Sequence, residues 1–202
     1  MTTFKKFNPK AMAKNEAYNL LTSAVIPRPI AYVTSQGEEN SLNGAPFSYF
    51  NIISAKPPLL ALSVGLREGK PKDTTANILK HKEFVVHMVD RDNLDQVNQC
   101  SKAYKANESE VDAVGFTVLR SDKVETRSIQ ESPVRFECRL FKTVVLGDGG
   151  ETLIIGEIVQ MHVDEKYLDN HEINAERYKP IARLGKKNYA TLGEVFSLER
   201  PK

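Results

Sequence analysis

The sequence predicts a mainly β protein, a closed or nearly closed antiparallel barrel with a few helices at its ends. Short apolar, β-branched runs recur between clusters of Gly, Pro, Asn and Asp. The clearest of them alternates apolar and polar residues with the period of two expected of a half-buried strand. Strands and helices do not alternate regularly, which argues against a doubly wound sheet.

Taken in order, Arg28 to Ser35 (RPIAYVTS) reads as the first strand, and Leu59 to Leu66 (LLALSVGL), after the helix-breaking Pro57-Pro58, as another. Lys72 to Lys82 (KDTTANILKHK) reads as a short helix, with Asp73 or Thr74 as its cap and Ile78 and Leu79 on its apolar face. The strand Glu83 to Val89 (EFVVHMV) follows. Asp92 to Tyr104 reads as a second helix, with Asp92 as N-cap and Leu94, Val97, Cys100 or Ser101, and Tyr104 recurring on one side. Between Val134 and Val163 the alternation of Val134, Phe136, Cys138 and Leu140 with charged residues predicts one strand of a long hairpin. ETLIIGEIVQMHV is its partner, and Asp148-Gly149-Gly150 supplies the positive-φ residues of the turn. From Asp164 to Lys202 the chain is irregular and charged, which suits a terminal arm packed on the barrel or on a partner subunit.

The chain of 202 residues, 41% of them hydrophobic, is expected to form a single domain, 1–202. A net charge of +2, from 28 basic and 26 acidic side chains, leaves no field that would gather nucleic acid or an anionic membrane. Two cysteines, Cys100 and Cys138, and an N-terminus without an apolar core point to a cytoplasmic protein rather than a disulfide-bonded secreted one. No apolar run approaches the roughly 20 residues of a membrane span.

Two segments carry the candidate chemistry. From Lys70, KPKDTTANI places lysines, two hydroxyls and a helix start within a few residues, and Arg67 lies just upstream. The free N–H groups and dipole of a helix start favour an anion, to which Lys72, Thr74 and Thr75 would add charge and hydrogen bonds. The same residues would serve an ordinary capped helix with a solvated Lys72. Asn43 to Pro58 (NGAPFSYFNIISAKPP) combines small residues, aromatics and hydroxyls. Such a segment offers the apolar surface and hydrogen-bonding edge that an isoalloxazine ring needs. An ordinary strand with Phe47, Tyr49 and Ile52 or Ile53 in the core accounts for it equally.

These stretches resemble the flavin reductase-like proteins with the FMN-binding split barrel, of Greek-key type, and more closely their flavoredoxin-like branch. The resemblance is carried by IPRPIAYVTS (Ile26 to Ser35), NGAPFSYFNIISAKPPLLALSVG (Asn43 to Gly65), KDTTANI (Lys72 to Ile78) and EFVVHMV, in the family's order and spacing. It implies that Phe47, Ser48, Tyr49 and Asn51 border the flavin ring, that Ala45 contacts the cofactor, and that Ser63 and Gly65 border the ribityl chain. Arg67, Lys72, Asp73 and Thr74 would surround the phosphate, with Asp73 capping the helix, and Arg28 and Thr34 would lie near the cofactor. The ending ARLGKKNYATLGEVFSLERP is similar to the family's last segment, except that Lys186-Lys187 stand where a smaller, glycine-containing turn is expected.

The resemblance further implies FMN, in preference to FAD, with NADH or NADPH as electron donor, and a homodimer. The function it implies is an FMN oxidoreductase of the flavin reductase type, passing hydride or electrons from NAD(P)H to flavin and on to an acceptor. An FMN-binding electron carrier without its own NAD(P)H site, and a non-catalytic flavin-binding module, are the alternatives. No side chain is expected to be catalytic. The four histidines, His81, His87, His162 and His171, are not spaced as metal ligands, and no metal is expected. The basic cluster Arg177, Lys179, Arg183, Lys186 and Lys187 reads as a solvated face or a dinucleotide phosphate contact, and His87 as a barrel histidine or a flavin neighbour. Without a Cys-x-x-Cys pair, a Gly-x-Ser-x-Gly elbow or a Walker-type loop, the chemistry must come from a cofactor.

Overall fold

The computed structural model describes residues 2–102, 104 and 108–201. Its centre is one antiparallel sheet of seven strands: β1 (Ala31–Gln36), β2 (Leu42–Phe47), β3 (Phe50–Ala55), β4 (Pro58–Val64), β5 (Glu83–Met88), β6 (Val134–Leu146) and β7 (Glu151–Val163). They lie in the order β2-β1-β5-β6-β7-β4-β3. The two edge strands, β2 and β3, are consecutive in sequence and joined only by Ser48 and Tyr49. Six gaps of about 4.8 Å would hold the edges of a flat sheet about 29 Å apart, whereas the link from Phe47 to Phe50 reaches about 10 Å. The sheet therefore curls until its edges meet, and the result is a split barrel.

Inside it, Ala31, Val33, Phe47, Phe50, Leu60, Leu62, Phe84, Val86, Cys138 and Ile154 form the main core. Gly156 on β7 makes room for this packing, since a Cβ there would stand 2.4 Å from the Phe84 ring. Tyr32 alternates out of the barrel into a second core with Leu42, Leu94, Val97, Val111, Phe116 and Ile129. β1 is consequently buried on both faces, which explains its continuous apolar run.

The long hairpin forms as expected, with two corrections. Positive φ falls at Gly147 (59°) and Gly150 (71°), not at Asp148 or Gly149. The register also shifts between Leu140 and Lys142, so that Phe141 bulges out and the alternation changes phase beyond it. Past that point Phe141, Val144, Val145 and Leu146 are exposed.

Among the described residues, two expected helices and three further ones surround the sheet: α1 (Lys14–Ala24), α2 (Asp73–His81), α3 (Leu94–Gln99), α4 (Glu110–Ala113) and α5 (Ala175–Tyr178). α2 is the expected helix after Lys72. α3 is half the length expected of Asp92 to Tyr104, and its N-cap is Asn93 rather than Asp92. Asp90 takes the capping role, its Oδ1 accepting from the backbone N–H groups of both Asp92 and Asn93 at 3.0 Å. Among the described residues, no helix is long and apolar enough to cross a membrane. Behind α1, the strand pieces Arg28–Pro29, Ile181–Arg183 and Tyr189–Thr191 form a small sheet that carries the C-terminal segment back to the barrel.

Candidate functional site

Two cavities adjoin beside β2. The smaller, of about 90 Å³, lies at the start of α2, and the larger, of about 290 Å³, lies between β2, α3 and the segment 183–189. Pro46, Phe47 and Ser101 line both.

The start of α2 shapes the smaller cavity. Its N-cap is Lys72, in extended conformation, and no side chain makes a capping bond there. The expectation of Asp73 or Thr74 as cap is therefore corrected: both stand inside the first turn. Thr74 is diverted because its hydroxyl donates to Asn43 Oδ1 on β2 at 3.0 Å. That commits the hydroxyl proton, so what Thr74 presents to an anion is its backbone N–H. Uncapped first-turn N–H groups at the positive end of a helix dipole suit an anion.

Arg67 and Lys72 both line this cavity. Burial holds the half-buried Lys72 ammonium below the usual lysine range, and the neighbouring Arg67 charge lowers it further. Its Nζ lies 5.7 Å from the centre of the Phe47 ring. Among the described residues, no carboxylate forms an ion pair with either cation.

Under the cavity runs a buried polar network. Asn43 Nδ2 donates to both oxygens of Glu110, at 2.9 and 3.0 Å, and the Gly44 N–H donates to Glu110 Oε2 at 3.2 Å. Asn43 Oδ1 in turn accepts from Ser35 Oγ at 3.1 Å as well as from Thr74. Burial raises the Glu110 carboxyl above its ordinary range, and its hydrogen bonds oppose that shift.

The structure brings Ala45, Phe47, Arg67, Lys72, Asp73 and Thr74 together in the smaller cavity, and Arg28, Phe47 and Ser48 in the larger. Five other residues of the expected site line neither. Tyr49 and Asn51 are exposed on the barrel edge, where Asn51 Oδ1 accepts from the Ile52 N–H. Ser63 pairs with the same edge, its N–H donating to the Tyr49 carbonyl at 2.8 Å, and Gly65 faces open space. Thr34 also lies away from both cavities. It is fully buried and donates to the Arg127 carbonyl at 2.8 Å. Asn43, Ser101 and Glu110 line the cavities without having been singled out as site residues in the sequence.

His87 is a structural histidine. Its Nδ1 lies 3.1 Å from the Tyr32 carbonyl and its Nε2 accepts from the Ile129 N–H at 3.1 Å, which places the ring proton on Nδ1. Complete burial pushes its pKa down to about 3. The turn at Lys186-Lys187 keeps a glycine-like geometry, since Lys186 takes a φ of 57°. Next to it, Arg183 stacks 4.4 Å from the centre of the Tyr189 ring, and the Tyr189 hydroxyl donates to Asn98 Oδ1 at 3.1 Å. Arg177, from the basic cluster, pairs with Asp169 at 2.6 Å. Elsewhere the fold brings Asp122, Glu137 and His162 together with ligand atoms within 4.8 Å. Glu137 there already accepts from the Asp122 and Lys123 N–H groups and from His162.

The model of the flavin reductase like domain matches residues 23–182. The chain is 39% identical to the nitrilotriacetate monooxygenase component B of Bacillus cereus, with a TM-score of 0.95 over 98% of this chain and 100% of that one. It is 32% identical to a Pseudomonas fluorescens 2-nitrobenzoate 2-nitroreductase, with a TM-score of 0.89 over 98% and 96% of the two chains. Flavoredoxin of Desulfovibrio vulgaris, at 20% identity and a TM-score of 0.75 over 86% and 91%, shares the fold. The match over most of the chain shows that this protein belongs to the flavin reductase-like family.

Proposed function

We propose that the chain is an FMN-dependent oxidoreductase that accepts electrons from NADH or NADPH and passes them to an acceptor. The observation that carries this reading is the pair Arg67 and Lys72, unpaired with any described carboxylate and facing the uncapped start of α2. A phosphate placed there would meet two positive charges and the first-turn N–H groups of α2. Two of the proteins to which the chain is similar, a monooxygenase component and a nitroreductase, point towards redox chemistry.

When bound, FMN supplies hydride and electron transfer at its ring. The chain's own contribution is binding and placement. Arg67, Lys72 and the N–H groups of α2 fix the phosphate, and Asn43 and Glu110 hold the β2 end of that cavity rigid. Pro46 and Phe47 line both cavities and Ser48 the larger one, which supports placing the flavin ring against the Pro46–Ser48 segment. No side chain is needed as an acid or base.

A homodimer belongs to the same reading. The bulged half of the hairpin exposes Val145 (72%) and the barrel edge exposes Ile52 (69%), apolar surface that a second copy would cover. Sedimentation velocity at micromolar concentration should give a dimer.

The test is spectroscopic. Protein purified as it is expressed should carry the absorbance of an oxidised flavin, and anaerobic NADH or NADPH should bleach it. Bound flavin that neither nucleotide bleaches would leave an electron carrier in place of a reductase, and colourless protein that takes up no added FMN would end both readings.

A further inference from the structure

We propose that the larger cavity binds a small organic anion, a carboxylate carried on a flat apolar body. The inference goes beyond the flavin reading, because the lining of the cavity carries it without the flavin. Arg28, Arg183 and Lys186 line it, and no Asp or Glu does. The rest of its lining is mixed, with the apolar side chains of Ile30, Leu94 and Val97 beside Thr22, Ser48, Asn98 and Ser101.

Arg28 is the decisive residue. It is 8% exposed. Its guanidinium donates only to carbonyls: from one terminal nitrogen to Thr22 and Val25, both at 2.6 Å, and from the other to Leu184 at 2.9 Å. Arg28 Nε has no partner. Carbonyls satisfy N–H groups but do not cancel a full charge. Two of these carbonyls stand at the C-terminal end of α1, where the dipole is equivalent to about half a negative charge. No described carboxylate pairs with Arg28. A buried cation lacking a counter-ion is unfavourable, and an anion in the adjoining cavity would supply one.

The shape narrows the class. A volume of about 290 Å³ lies at the small end of ligand sites, enough for a one-ring acid and too little for a dinucleotide. Arg183 is held by its stack on Tyr189 and by donating to the Lys186 carbonyl, which restrains its planar fork in the cavity lining. A carboxylate recognised there would lie next to Phe47 and Ser48, where a second reactant would meet a flavin.

Calorimetric titration with benzoate and with its neutral isostere benzamide tests this, on the flavin-free chain and on the chain loaded with FMN. Benzoate should bind saturably to both, and benzamide about tenfold more weakly or worse, as loss of a charge-assisted contact implies. Arg183→Gln should weaken benzoate about tenfold. Lys186→Gln, at an exposed position that tolerates change, should weaken it roughly threefold. Melting temperatures of both variants check that the fold is kept. Equal binding of the two probes, no saturable benzoate binding, or affinity unchanged in both variants would overturn the proposal. So would loss of benzoate binding on FMN loading, which would make the cavity the flavin's own. Benzoate bound by a chain that takes up no FMN would uphold this site and end the flavin reading, and the converse result would do the reverse.

Discussion

Asn43 Nδ2 donates to both carboxylate oxygens of Glu110, residues 67 positions apart, and this pairing fixes which way the Asn43 amide faces. Its carbonyl oxygen is thereby turned to the hydroxyls of Ser35 and Thr74. Glu110→Gln would put an amide donor where a carboxylate oxygen accepts. Either two donors then face each other, or Asn43 flips and gives up its bonds to Ser35 and Thr74. The variant should lose about 1–3 kcal/mol of stability in urea denaturation. A midpoint equal to that of the wild type would show that the network contributes nothing.

His87 sets a pH dependence. Its pKa falls from 6.5 to about 3 on folding because burial disfavours the charged ring. The unfolded chain therefore takes up a proton at a pH where the folded chain does not. The contribution is fully present above about pH 6.5 and is lost as pH falls towards 3, at up to about 1.4 kcal/mol per pH unit. His87→Gln, which keeps a donor and an acceptor, should flatten that slope relative to the wild type when stability is measured between pH 6.5 and 4. Parallel curves for the two proteins would contradict the assignment.

Gly156 tests the packing of the barrel. A methyl group at this position would meet the Phe84 ring at 2.4 Å and Cys138 Cβ at 3.3 Å. Gly156→Ala should lower stability by about 1–3 kcal/mol through overpacking. Phe84→Leu in the same chain should recover part of that loss, and purely additive effects would place the strain elsewhere.

Much of the barrel was legible because its signals are local. The alternation from Val134 to Leu140, the glycines of the 147–150 turn and the β-branched runs each follow from sterics within a few residues. α1 was not legible. Tyr18, Leu20 and Leu21 are exposed, Thr22 is its only buried residue, and no apolar stripe marks it. The start of α2 was legible as a helix start beside Lys72. That it carries no side-chain cap was not, because what removes Thr74 from capping is Asn43, on another strand. Asn43 and Glu110 meet only through the tertiary fold, so no spacing rule could pair them. Thr34 read like its neighbours on β1, and its burial appears only once the Arg127 backbone covers that face.

The central claim is that an FMN phosphate sits between Arg67, Lys72 and the start of α2. The most direct measurement is the affinity for FMN and for riboflavin, by calorimetry, of the wild type and of the double variant Arg67→Ala, Lys72→Ala. Only FMN carries the phosphate, so the double variant should lose about 100-fold or more in FMN affinity while riboflavin changes little. Equal losses for the two ligands would contradict the account.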